Sequence, residues 1–179
     1  TTDEIASNES KLSIALYVRH TGGEDAISID DAIDAWKTSA TVVRMEYEKL
    51  NQLILDTVNI LEKYEASYYD TLPISENGEF IFNSPDYSAE SDFKKNNDFD
   101  KNMSAKEILN ELIKRYEIDG KYTKTEKRKI AGIRFEMELR SFNSSTPYTI
   151  ATDVPIEVVS YIREQGNKFM GIDVSVEPI

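Results

Sequence analysis

The chain has no cysteine, which excludes disulfides, zinc-thiolate centres and cysteine nucleophiles. Histidine is nearly absent too, with His20 alone. Glycine and proline are sparse at seven and five, and 40% of residues are apolar, the composition of a folded chain rather than a disordered one. Long hydrophobic runs are missing: Leu53-Ile54-Leu55 is typical of the longest, far short of a bilayer span. No basic-then-apolar signal peptide is present either. Cations are outnumbered, 21 against 33 acids, and the net charge of −12 argues against general nucleic-acid binding, which depends on neutralising phosphates. At 179 residues the chain is one domain, or one domain with a small appendage, able to bury about two-thirds of its unfolded surface.

What is present divides into segments. Glu4 to Val18 places Ile5, Leu12, Ala15 and Leu16 at helical spacing before Thr21-Gly22-Gly23 breaks it. Ser28-Ile29-Asp30-Asp31 caps a second short helix carrying Ala32, Ile33 and Trp36, and the two would form a helical pair. Thr41-Val42-Val43 is β-branched and reads as a short strand. The strongest helix is Tyr47 to Tyr68, with Leu50, Leu53, Ile54, Thr57, Val58, Leu61 and Tyr64 on one stripe. Residues 73–82 give a β-hairpin around Asn77-Gly78. Asn83 to Asn102 is polar and reads as an exposed loop. Ser104 with Glu107 and Thr123 with Glu126 are two capping boxes, the first opening a helix to Tyr116. Ile133, Phe135, Met137 and Leu139 then alternate with Arg134, Glu136, Glu138 and Arg140, the period of a strand. The fold class expected is α+β, a small sheet with several helices packed against it.

Residues with chemical potential are few. His20 beside Thr21-Gly22-Gly23 reads as an exposed side chain in a surface turn. Asp98, Asp100 and Asn102, with Asp92 nearby, resemble alternating calcium ligands, but a calcium loop also needs a turn glycine and a closing glutamate at fixed offsets, and Glu107 falls inside a helix. Glu157 and Glu164 are seven apart on one helix, a solvated face rather than two carboxylates flanking a glycosidic bond. Tyr47, Tyr64, Tyr68 and Tyr69 form an aromatic row that either edges the core or stacks on glycan. The basic stretch Lys121, Lys124, Lys127, Arg128 and Lys129 is either a solvated helix face or a docking patch for an acidic partner or anionic cell-wall polymer.

The C-terminal run reads strand, helix, strand. Residues 146–151 are β-branched and apolar, Asp153 can cap a helix with Pro155 in its first turn, and Ile156, Val159, Tyr161 and Ile162 give the helical stripe. Gly166 and Gly171 release the chain into Ile172, Val174 and Val176, which alternate with Asp173, Ser175 and Glu177 before Pro178-Ile179. Asp153-Val154-Pro155-Ile156-Glu157-Val158-Val159-Ser160-Tyr161-Ile162 and Gly171-Ile172-Asp173-Val174-Ser175-Val176-Glu177-Pro178-Ile179 resemble, in order, two segments near the end of the N-terminal non-catalytic region of class B penicillin-binding proteins. Ser104-Ala105-Lys106-Glu107-Ile108-Leu109 and Lys127-Arg128-Lys129-Ile130-Ala131-Gly132-Ile133-Arg134-Phe135-Glu136-Met137 extend the likeness, which runs from about Leu50 to Ile179 and is to Gram-positive, clostridial-like members.

The resemblance implies a dimerisation or pedestal domain over 46–179, with 1–45 an unassigned helical appendage or insertion. It implies a parent that is a serine-type peptidoglycan D,D-transpeptidase, whose catalytic domain would follow Ile179 and whose membrane anchor would lie outside this chain. The module would sit on the extracytoplasmic face of the membrane, carry no catalytic, cofactor or metal residues, and dock cell-wall synthesis partners such as a glycan polymerase or form a homodimer. Fragments of the catalytic signature do occur: Ser91 with Lys94, Ser75 with Asn77, Ser141 with Asn143, and Lys37-Thr38. The chemistry needs the serine at a helix start in an apolar cleft beside a lysine that takes its proton. Here the order is wrong and no Lys-Thr-Gly exists, so an acyl-transfer site is not expected. The rival readings are a cell-wall hydrolase using His20 or acidic residues, and an extracytoplasmic ligand-binding domain.

Overall fold

Ser28 opens the first helix of the computed structural model, which describes residues 28–82, 88–118, 120–143 and 146–175. The Ser28 hydroxyl accepts from the Asp31 amide at 3.0 Å, and Asp30 and Asp31 place negative charge on the positive end of the helix. Helix α1 then runs without a break over Ile29–Lys63. The short helix, the strand at Thr41-Val42-Val43 and the later helix of the sequence reading are thus one element, since β-branched residues are tolerated in a helix of this length. Its end comes at Lys63 rather than Tyr68. By its contacts the chain divides between Val42 and Val43 into two units.

Four further helices follow: α2 (Ala89–Asn96), α3 (Ala105–Arg115), α4 (Lys124–Leu139) and α5 (Ile156–Glu164). The capping boxes at Ser104/Glu107 and Thr123/Glu126 are both formed, each side chain bonding the other residue's backbone amide. At the other ends the chain turns left-handed without glycine. Glu65, Glu117 and Ser141 sit at φ of 54°, 48° and 54°, and the next residue's amide reaches back five positions: Ala66 to Leu61, Ile118 to Ile113, Phe142 to Met137. This is the Schellman arrangement, with an apolar residue after the turn in every case.

No sheet forms among the described residues, and the α+β expectation is overturned: the fold is helical. Residues 124–139 are a helix, not a strand. The apparent alternation arises because Ile130, Ala131, Ile133, Phe135 and Met137 are all buried, so apolar residues fill more than one helical stripe and mimic period two. Residues 146–151 contribute one bridge, Thr146 with Asn143, and one bond from the Tyr69 amide to the Ile150 carbonyl at 2.9 Å. Residues 172–175 pair with no ladder, and Val176 to Ile179 lie outside the described residues. Pro155 is the N-cap of α5 and Asp153 precedes it at φ 53°, so Asp153 is not the cap. The hairpin at 73–82 survives in minimal form: Ile74 bridges Phe80, Gly78 donates to the Ser75 carbonyl at 3.0 Å, and Gly78 takes φ 75°. The stretch read as a loop before Asn102 contains α2, while residues 83–87 are not described.

Two apolar clusters meet on α1 within the second unit. Ile54, Leu55 and Val58 pack with Leu72, Ile74, Ile108, Leu112, Ile130 and Ile133. Leu61 and Ile60 pack with Val158, Ile162 and Phe169. The C-terminal half of α1 is therefore the spine, with α3 and α4 in one cluster and α5 in the other.

Candidate functional site

The most organised polar group lies where α4 meets residues 69–74. Arg128 leaves α4 five residues after the Thr123 cap and donates through Nη1 and Nη2 to the Asp70 carboxylate at 2.8 and 3.3 Å. Nη2 also reaches the Leu72 carbonyl at 2.7 Å, and Nε donates to the Ile74 carbonyl. Asp70 in turn accepts from the Leu72 amide at 3.2 Å. Both side chains are largely buried, at 12% and 16% exposure, so the planar fork meets its carboxylate in a low-dielectric setting. One turn on, Gly132 faces the same carboxylate so closely that a Cβ would collide with Asp70 and with Arg128 Nη1. One turn further, buried Glu136 accepts from the Thr71 hydroxyl and from Arg140 Nε at 3.1 Å. Tyr148 lies beside this seam, donating to the Tyr69 carbonyl at 3.1 Å, and burial followed by the Glu136 charge pushes its phenol up to about 12.

A second cluster joins α1, α3 and α4. The Arg134 guanidinium lies over the rings of Tyr47 and Tyr116, at 5.0 and 5.2 Å, and burial holds its pKa below the usual arginine value. Asn51, fully buried, donates to the Tyr116 carbonyl at 3.2 Å, and Tyr116 donates to Glu138. Burial, then that bond to a carboxylate, raises the Tyr116 phenol well above its ordinary value. Sequence reasoning passed over Asp70, Asn51 and Glu136. Polar residues inside apolar runs, and a glycine in mid-helix at Gly132, were the available signals.

The residues weighed in the sequence scatter. Ser91 is exposed on α2, whereas Lys94 is buried, bonded to Glu90 at 2.5 Å and to the Lys101 carbonyl at 3.1 Å, so it has no bearing on Ser91 as a base. His20 lies outside the described residues. Asp100 closes a local turn by accepting from the Asn102 amide at 2.8 Å, and among the described residues no group of three acids or histidines is placed to hold a metal. Glu157 and Glu164 begin and end the exposed side of α5. The four tyrosines form no row: Tyr47 holds Arg134, Tyr68 donates to Glu62 at 3.0 Å, Tyr69 lies 3.2 Å from the Thr152 hydroxyl, and Tyr64 lies beyond the end of α1. The basic stretch is largely engaged within the fold, Lys121 with Glu48 at 2.5 Å, Lys124 with Asn77 at 2.8 Å, Lys129 with Glu62 at 2.6 Å, and Arg128 with Asp70.

Beside α5, a groove of about 330 Å³ is lined by Ile162, Phe169, Gly171, Ile172 and Val174, with Gly171 at φ 104° turning the chain along it. No helix among the described residues is long and apolar enough to cross a membrane. Neither the family models, nor the curated proteins, nor the solved structures contain a match to this chain.

Proposed function

We propose that this chain is a non-catalytic pedestal module of a class B penicillin-binding protein, which positions a serine-type peptidoglycan D,D-transpeptidase domain on the extracytoplasmic face of the membrane and docks cell-wall synthesis partners. The observation that supports this reading is where the residues of the resemblance fall. The stretch Lys127 to Met137 is α4, and its Arg128, Gly132 and Glu136 all act on residues 70–74. Ser104 to Leu109 opens α3 through its capping box and buries Ile108 and Leu109. The stretch Asp153 to Ile162 supplies α5 with buried Val158, Val159 and Ile162. The likeness is thus carried by side chains that hold helices together, as expected of a scaffold selected for shape rather than for a reacting group.

In this role the module needs stiffness more than a cleft. Buried hydrogen-bonded ion pairs fix one arrangement of the elements they join. The extended residues 172–175, with Ile172 and Val174 packed against the α5 cluster, then carry the chain onward from a defined point.

Labelling with a fluorescent penicillin tests the proposal. The 179-residue chain should give no covalent adduct, whereas the protein encoded by its complete reading frame should give one on a serine beyond Ile179. A labelled band from this chain alone, lost on Ser91→Ala, would overturn the proposal in favour of an enzyme. A reading frame with no serine-lysine motif after Ile179 would overturn it equally.

A further inference from the structure

Every residue from 29 to 46, the N-terminal half of α1, is exposed. Within it Ile29, Ile33, Trp36 and Ala40 recur at intervals of four, three and four, the seam spacing of paired helices, and all four belong to the first unit. Ile29 is 75% exposed, Ile33 43% and Trp36 71%. A few turns of helix are marginal alone in water, and a row of large apolar side chains rimmed by charge marks a face that packs on another helix.

We propose that this face pairs with the same face of a second copy, the two helices antiparallel about a twofold axis near Asp34 and Ala35. Shape and charge select one register. With Ile33 set opposite Trp36 of the second copy, Trp36 meets that copy's Ile33, and Ile29 and Ala40 meet at both ends, so a larger side chain sits against a smaller one in every layer. Antiparallel helices flank their seam with like sides, so the same register brings Asp30 within a turn of Lys37 of the second copy, and Lys37 within a turn of its Asp30. The opposite flank holds Ala32 and Ser39 and no charge. Lys37 lies 3.6 Å from its own Asp34, so each ammonium would sit among carboxylates. Sliding the helices to set Trp36 opposite Ala40 would instead bring the two Lys37 side chains together. A parallel pair would set Asp30, Asp31 and Asp34 beside their own copies. Three acids against one lysine over 29–40 also disfavour an anionic lipid surface as the cover. The contact spans about three turns per copy, at the small end of stable interfaces, so the dimer should form and dissociate with concentration. It draws only on residues 29–40 and is independent of the proposed cell-wall role.

Sedimentation equilibrium of the full 179-residue chain should show monomer and dimer exchanging with concentration. Asp30→Lys alone and Lys37→Asp alone each turn both cross-pairs repulsive and should weaken the dimer about tenfold. An equimolar mixture of the two variants restores opposite charges at both pairs and should associate as tightly as the parent. Both positions are exposed, so the circular-dichroism melt is retained in every variant. The absence of native cysteine allows the register to be read by oxidation. Ile29→Cys mixed with Ala40→Cys should form a disulfide between chains, and neither should crosslink alone, because like positions lie about 16 Å apart along the pair. A chain that stays monomeric up to millimolar concentration overturns the proposal. So does a dimer indifferent to both charge changes, which would assign the contact to another face, or an Ile29→Cys chain that crosslinks to itself, which would make the pair parallel.

Discussion

Arg128 and Asp70 lie 58 positions apart in sequence and meet as a two-bonded ion pair between α4 and the segment that follows α1. The guanidinium also takes the carbonyls of Leu72 and Ile74, so a single side chain serves three acceptors. Removing it leaves a largely buried carboxylate uncompensated and takes a donor from each of two carbonyls, of which Leu72's keeps the Ile74 amide at 2.8 Å. Arg128→Ala should cost about 3–5 kcal/mol, which in a chain this size lowers the midpoint of thermal unfolding by on the order of ten degrees. Asp70→Ala combined with Arg128→Ala should cost clearly less than the sum of the single variants, because the pair acts as a unit. A single variant melting within a degree of the parent would show that the clamp carries no stability.

Gly132 gives a prediction of opposite sign to the usual rule. Glycine to alanine in an open helix interior stabilises by roughly 0.5–1 kcal/mol. Here the added methyl would meet the Asp70 carboxylate and Arg128, so Gly132→Ala should instead destabilise by about 1–3 kcal/mol as the clamp is forced apart. Chemical denaturation at equal slopes measures the difference, and a stabilised variant would mean that the seam opens freely.

Three of the helix starts were legible and the ends of α1 and α4 were not, for a definite reason. Ser28, Ser104 and Thr123 announce their helices by side chains that bond backbone amides, and that chemistry is readable from residue type alone. The ends at Lys63, Arg115 and Leu139 use Glu65, Glu117 and Ser141 in the left-handed region, where sequence reasoning looks for glycine. The strand assigned to Ile133 through Leu139 failed because burial of α4 around much of its girth removes the one-sided pattern that marks a helix. The Arg128 clamp was hidden since pairing with Asp70 is decided by how the chain folds back, not by local spacing. The residues that looked chemical, Ser91, Asp98 and Glu157 among them, fall on α2, in the turn after it and on α5.

Glu65 offers a stabilising change on the same grounds. Left-handed φ costs a residue with a Cβ roughly 1–2 kcal/mol, and glycine escapes that cost while losing somewhat more chain entropy on folding. Glu65 is exposed, at φ 54°, at the end of α1. Glu65→Gly should therefore raise stability by about 0.5–1 kcal/mol, or roughly 1 to 4 degrees of midpoint. A lowered midpoint would indicate that the turn is set by something other than backbone strain.

The capping boxes predict an acid limb. Bonds from the Ser104 and Thr123 backbone amides hold Glu107 and Glu126 below the ordinary glutamate pKa. A carboxylate whose folded pKa is depressed contributes stability that is fully present above its unfolded value of about 4.3 and is lost as pH falls through the folded value. Stability should accordingly fall below about pH 4.5. With both positions changed, Glu107→Gln and Glu126→Gln, the side chains still cap but no longer titrate, so the slope of midpoint against pH in that window should flatten. An unchanged slope would place the acid sensitivity elsewhere.

Val174 tests the outgoing segment. It is half-buried against the cluster of Leu61, Val158, Ile162 and Phe169, beside the turn that Gly171 makes at φ 104°. Val174→Asp would set a carboxylate against apolar neighbours, with Arg163 lining the same groove, and should cost about 1–3 kcal/mol. Val174→Ala, which only trims the contact, should cost less, giving a graded pair that separates lost packing from buried charge. The melt of the charged variant should fall by roughly 2 to 12 degrees at 2 to 4 degrees per kcal/mol. If it stays within about a degree of the parent, residues 172–175 are not packed on α5, and the pedestal proposal loses the fixed point it needs.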